Sequence, residues 1–214
     1  DHSAAGYIVV GGGVDLRPEK SRNSSVSLEY SYEGIGLHRV TFFYNDINDM
    51  IEFNLTGFSP TYWRGIYKYE NVFKAYTRGI EWQSEIKVNH HIDFSLSYTW
   101  LTAKNRETGH WLLNRPEHSL KLLQSLHFDK AGLIITAWAS WYSGKLWVPL
   151  GEQNNFESDI WAPTRRDVNL SVSKRVWENI EVFARGENLS DDVEVDFGYW
   201  PGRTFYAGVR WNGK

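Results

Sequence analysis

Phe94-Ser95-Leu96-Ser97-Tyr98-Thr99-Trp100 alternates large apolar and small polar side chains without a break. A period of two puts Phe94, Leu96, Tyr98 and Trp100 on one face of an extended strand and the hydroxyls on the other, which no helix does. The pattern spreads outward in both directions. Val26, Leu28, Tyr30 and Tyr32 alternate with Ser25, Ser27, Glu29 and Ser31, and Ile80, Trp82, Ile86 and Val88 with Glu81, Gln83, Glu85 and Lys87. Val168, Leu170 and Val172 stand against Asn169, Ser171 and Ser173, and Phe205, Ala207, Val209 and Trp211 against Thr204, Gly208 and Arg210. The alternation predicts nine strands, at 24–32, 37–53, 67–88, 92–104, 117–128, 133–143, 166–174, 180–188 and 203–212. Tyr7-Ile8-Val9-Val10 could add a short tenth strand, but is read as part of a loop.

Composition narrows the setting. The 214 residues include 11 Trp, 12 Tyr and 11 Phe, with no Cys and a formal charge of -3. Without cysteine there is no disulfide framework, thiolate metal site or cysteine nucleophile. The near-neutral charge gives no basic field for nucleic acid. Mean hydropathy is -0.48, and no apolar run approaches the length of a transmembrane helix. A strand that meets lipid with every second side chain has a mean hydropathy like this one. The Trp and Tyr content suits rings placed at a membrane-water interface, or an aromatic-rich soluble β-sandwich. The chain begins at Asp1 without Met or signal peptide, which reads as a processed or excised piece.

The connections decide between these settings. Glu33–Gly36, Asn89–His91, Asp129–Gly132 and Val176–Asn179 are tight turns, whereas 54–66, 105–116, 144–165 and 189–202 are long. Short and long connections alternate, as in an all-β, antiparallel up-and-down transmembrane β-barrel with short periplasmic turns and long outer loops. The C-terminus then lies in the periplasm. Nine strands leave two unpaired edges, so further strands upstream or a second copy is expected, with self-association of the chain as one outcome.

Six segments resemble the C-terminal part of the 22-stranded barrel of TonB-dependent outer-membrane receptors, such as those for ferric enterobactin, colicin I and vitamin B12. They are Val14–Ser21, Phe43–Ile51, Tyr69–Glu81, Asn114–Leu120, Glu187–Leu189 and Pro201–Tyr206, in the family's order. Ser190 stands where the family usually has Phe, and Trp211-Asn212-Gly213-Lys214 stands where it usually ends in an aromatic residue. The resemblance implies uptake of a scarce ligand, an iron-siderophore, haem or cobalamin, across the bacterial outer membrane. It also implies outer-membrane lipid, TonB, an N-terminal plug and further barrel strands as partners, with plug and TonB-contacting segment outside these residues. On this reading residues 1–23 form an extracellular loop segment and 24–214 the C-terminal barrel strands.

Ligand contacts are expected from the long loops: Tyr62, Trp63 and Arg64, then Trp111 and Arg115, then Trp147 and Trp161, then Trp200. Aromatic faces and guanidinium forks suit flat or anionic ligands, although the same rings also serve as interface girdle or loop packing. Glu29, Arg78, Glu81, Glu85, Lys87, Arg185, Glu187 and Arg210 are expected on the lumen and plug side. Glu81 and Glu85 would stand about 13 Å apart, too far for a glycosidase pair. His90 and His91 adjoin in a turn with opposed side chains, a poor metal site. No catalytic motif, cofactor or metal is expected. The alternatives are a passive outer-membrane channel or adhesin, and a soluble carbohydrate-binding β-sandwich.

Overall fold

The computed structural model describes residues 8–9, 15–32, 36–60, 64–148, 159–194, 197 and 201–211. The strands are β1 (Ile8–Val9), β2 (Lys20–Tyr32), β3 (Gly36–Ser59), β4 (Arg64–Asn89), β5 (Ile92–Asn105) and β6 (His118–Phe128). They continue with β7 (Leu133–Tyr142), β8 (Lys145–Val148), β9 (Ile160–Ala162), β10 (Arg165–Trp177), β11 (Ile180–Glu187) and β12 (Thr204–Trp211). Nine of them form one antiparallel meander in chain order, from β2 to β7 and then β10 to β12. These are the nine strands expected from alternation, with most ends within a few residues. β2 starts earlier than expected, at Lys20.

Two long connections differ from expectation. β3 and β4 run 24 and 26 residues, so most of the 54–66 connection is strand. At about 3.3 Å per residue each strand spans roughly 80 Å, and each has more than twice the roughly 9 to 11 residues that cross a bilayer. Residues 144–165 likewise hold the β8–β9 hairpin, which pairs Lys145 with Ala162 outside the main sheet. Ile8 and Val9 pair in parallel with Ile66 and Tyr67 on the β4 edge, so the short strand exists.

The Arg17–Glu19 part of the chain is clamped onto this ribbon. Arg17 pairs with Asp49 at 2.7 Å, its N–H donates to Asn71 Oδ1 at 2.7 Å, and its carbonyl accepts from Asn71 Nδ2 at 2.8 Å. The Ile51 N–H donates to Glu19 Oε1 at 2.6 Å.

Register carries alternation across the whole sheet. Rows such as Val26, Phe42, Ile80 and Trp100 make one apolar face, and rows such as Ser27, Thr41, Glu81 and Thr99 make a polar one. The apolar face is bare: Val26, Leu28 and Val209 keep 65%, 67% and 68% of their surface exposed. A β-sandwich would bury this face under a second sheet, yet the other sheet among the described residues is the short β8–β9 hairpin. The sandwich alternative therefore fails on packing. Among the described residues, buried apolar side chains are few and lie toward the long-loop end, where Leu112 packs on Ala75 and Ala103.

Polar pairs hold the opposite face together. Ser27 meets Thr41 at 2.9 Å, Asn45 Nδ2 donates to Thr77 at 2.8 Å, and Arg210 pairs with Glu181 at 2.9 Å. Each links neighbouring strands, as cross-strand pairs do in sheets.

Candidate functional site

At the long-loop end of β7 and β10, on the polar face, lies a cavity of about 380 Å³. Its wall includes Tyr142, Lys145, Arg165, Asp167, Asp192 and Phe197. Tyr142 and Arg165 are register partners, and Asp167 follows Arg165 by two, so period two aims all three at the same side. Lys145 comes from β8, fixed where the chain leaves the sheet. There the Ser143 N–H donates to the His118 carbonyl at 2.9 Å, and the His118 N–H donates to Ser143 Oγ at 3.0 Å. The Asn114 N–H donates to the Leu146 carbonyl at 2.9 Å, tying the preceding long loop to the hairpin.

The far wall is set by Asn188, part of the Glu187-Asn188-Leu189 segment. Asn188 has φ +48 and is buried, a conformation Asn tolerates better than most residues. Its N–H donates to Asn169 Oδ1 at 3.0 Å, and Nδ2 donates to the carbonyls of Asp192 at 3.2 Å and Pro201 at 3.1 Å. Its Oδ1 accepts from Ser190 Oγ at 3.0 Å and the Asp192 N–H at 3.1 Å. Ser190, the departure from the family pattern, thus takes part in the knot. Asp192 is further held because its Oδ2 accepts the Arg166 N–H at 2.6 Å.

Electrostatically the cavity is uneven. Burial depresses the Lys145 ammonium below its ordinary pKa, and the positive charges of Arg165 and then Arg115 depress it further. No carboxylate among the described residues forms an ion pair with Lys145. The ammonium sits 5.3 Å from the centroid of the Trp147 ring, and Trp147 meets Phe197 edge-on at 5.9 Å. A partly buried ammonium with Arg165 and Arg115 near it and aromatic rings behind it can receive an anionic group, in a cavity that Asp167, Asp192 and Glu194 also line.

The structure gathers several expected loop residues and separates others. Trp111 and Trp161 meet edge-on at 6.4 Å, with the Lys104 ammonium 4.8 Å from the Trp111 ring centroid. Trp147 and Arg115 belong to the surroundings of Lys145. Tyr62, Trp63 and Trp200 lie outside the described residues, and Arg64 opens β4 with its side chain outside the described part.

Register puts Glu29, Glu81, Glu85, Lys87, Arg185, Glu187 and Arg210 on the polar face. Arg185 pairs with Glu187 at 2.5 Å and lies 4.7 Å from the Trp138 ring centroid. Arg78 is a correction. It is in phase with Ile80 and Trp82, not with Glu81, and stands on the apolar face with its guanidinium 5.7 Å from the Tyr76 ring centroid.

Lys145 and Arg165 were not among the expected site residues. The phase of Arg165 with Asp167 and Asn169 is legible in the alternation, but Lys145 carries no such signal. At the short-turn end the His90 and His91 rings lie 3.8 Å apart, and His127 Nε2 is 3.0 Å from Asp93 Oδ2. Among the described residues no group of three or more such side chains is placed to hold a metal.

Comparison with known proteins gives a consistent picture. A family model described as TonB dependent receptor-like, beta-barrel matches residues 2–189. The iron-regulated outer membrane virulence protein of Vibrio cholerae is 29% identical over 212 residues, covering 92% of this chain and 32% of that protein. The ferric enterobactin receptor of Pseudomonas aeruginosa is 30% identical over 225 residues, covering 91% of this chain and 29% of that protein. The chain thus spans about a third of the length of these curated relatives. Among solved structures, a mutant of that Pseudomonas aeruginosa receptor superposes with a TM-score of 0.71 at 24% identity, over 92% of this chain and 31% of that one. A siderophore receptor of Acinetobacter baumannii gives 0.73 at 18% identity, over 92% and 32%. At these identities the structural likeness establishes the fold.

Proposed function

The chain belongs to the TonB-dependent receptor family through its β-barrel portion, and from this premise we propose that it serves in uptake of an anionic iron-siderophore across the outer membrane. The observation that carries the reading is Lys145: an ammonium without a carboxylate ion pair among the described residues, with Arg165 and Arg115 near it, in a cavity at the long-loop end on the side of the polar sheet face. Ferric catecholates are flat-ringed and anionic, and Lys145, Trp147 and Arg165 offer charge and ring faces together. The names of the relatives point the same way. Haem and cobalamin are the competing ligands of the same reading.

In this reading the apolar face meets outer-membrane lipid, and the short turns and C-terminus face the periplasm. Residues 1–23 belong to the outer side and 24–214 to the barrel. The polar face, with Glu29, Glu81, Arg185 and Arg210, lines a lumen that a plug fills, and TonB acts through that plug. The edges of β2 and β12 do not pair with each other, so neighbouring strands come from the rest of a receptor or from a second copy. A passive channel would need no such charged ligand pocket.

Tryptophan fluorescence titration of the folded barrel with a ferric catecholate, haem and cobalamin tests the proposal. Saturable quenching by the ferric catecholate, weakened about tenfold or more in Lys145→Ala, is expected for a charge-assisted contact. Saturable binding of cobalamin or haem alone, or binding of the catecholate that ignores Lys145→Ala, would overturn it.

A further inference from the structure

The misplaced Arg78 belongs to a larger feature of the apolar face. Across β2 to β5 the rows from Tyr32-Gly36-Ile86-Phe94 up to Val26-Phe42-Ile80-Trp100 hold no acid, Lys or Arg. The next three rows, toward the long loops, change character abruptly. They read Ser24-Tyr44-Arg78-Thr102, then Arg22-Asp46-Tyr76-Lys104, then Lys20-Asn48-Lys74, where the Arg106 N–H donates to the Lys74 carbonyl at 2.7 Å. Lys20, Arg22, Lys74, Arg78, Lys104 and Arg106 thus face outward around a single acid, Asp46.

Asp46 is already answered. Its Oδ1 lies 2.9 Å from Arg106 Nη2, which also donates to the Tyr44 hydroxyl. Lys20, Arg22, Lys74 and Arg78 have no ion pair among the described residues, and all four are exposed. Stacked Tyr44 and Tyr76 rings, 6.3 Å apart, floor the patch between Arg78 and Arg106. With strands about 4.8 Å apart and a rise of about 3.3 Å per residue, the patch measures roughly 15 by 13 Å. It begins where the apolar band ends, at the depth of lipid headgroups on the long-loop side.

We propose that this patch binds the phosphates of a bisphosphorylated lipid headgroup in the outer leaflet, its acyl chains lying along Val26, Phe42, Ile80 and Trp100. Guanidinium and ammonium groups at an interface pair with phosphate, and several unpaired cations over two phosphates match in charge and span. A free anion would have no use for the contiguous apolar rows below. The site rests on the membrane placement of the sheet and not on which chelate is carried.

The test places the barrel in phosphatidylcholine nanodiscs carrying lipid A, phosphatidylglycerol or no anionic lipid, and counts retained lipid by native mass spectrometry. Lipid A is expected to be held in preference to phosphatidylglycerol, and released by salt. Removing a cation weakens retention about fivefold, so Arg22→Gln with Lys74→Gln and Arg78→Gln costs about a hundredfold. Lys87→Gln with Lys121→Gln, on the polar face, leaves retention unchanged. Gel mobility before and after boiling shows whether the triple variant is folded. If it is not, Lys20→Glu alone, at the exposed rim, is expected to lose at least fivefold. Equal retention by these variants and the parent, or no preference over phosphatidylglycerol, overturns the site. A barrel that needs no detergent or lipid fails earlier, at the membrane reading.

Discussion

Lys145 shows how one residue couples ligand and proton. Its folded pKa lies below the ordinary 10.5 because of burial, Arg165 and Arg115. The ammonium attracts an anion and the neutral amine does not, so affinity should be flat at neutral pH and fall as pH rises through the lowered pKa, short of 10.5. A bound anion favours the ammonium, so binding draws in a proton within that window. The stability sign is opposite. Between the folded value and 10.5 the unfolded chain holds more protons, so the fold gains stability as pH rises there. Titrations across alkaline pH should show the fall in ferric catecholate affinity, and Lys145→Arg should flatten it. A parent profile without that fall would show that Lys145 does not meet the ligand.

Between strands, two glycines let aromatic rings lie flat on the polar face, and they differ in what surrounds them. At Gly208 on β12 an added Cβ would stand 2.7 Å from Phe183 Cζ, a ring tip on β11 that can swing away. At Gly79 on β4 it would stand 2.8 Å from Phe43 Cζ but also 2.0 Å from the Trp100 carbonyl oxygen, which cannot move without moving β5. Overpacking of this kind costs about 1 to 3 kcal/mol. Gly208→Val should therefore lower the temperature at which the compact unboiled gel band is lost, and Phe183→Leu should restore it. Gly79→Val should do the same damage without rescue from Phe43→Leu. Equal rescue at both positions would contradict the packing described. The ribbon made by β3 and β4 is a further element-level feature. Its outer half is held by Arg17 and Glu19, which meet Asp49, Ile51 and Asn71 of the ribbon from a segment with no alternation to announce such a role.

Among the described residues the whole sheet presents a bare apolar face, a polar face bound by cross-strand pairs, and open edges at β2 and β12. Such an object has no stable form in plain buffer. The purified chain should require detergent, and should run as a compact species until boiled. A folded monomer in plain buffer, by size-exclusion chromatography with light scattering, would sink the membrane reading and return the loop tryptophans to a test against sugars.

Alternation and the rhythm of short and long connections determined the nine strands, their order and which face is apolar, because strand phase is a local property and a short turn forces antiparallel neighbours. The family resemblance was likewise carried by local segments. The extent of β3 and β4 was less legible, since a ribbon beyond the membrane keeps strand geometry without keeping the lipid pattern. What only tertiary structure decided is which distant residues meet. The Lys145 cavity joins β7, β8, β10 and the turn after β11, and Lys145 sits in a loop segment with no period to give its direction. The outward cations of β2 to β5 were each visible in the chain, yet only register across four strands brings them into one patch, because hydrogen-bonded pairing aligns residues far apart in sequence.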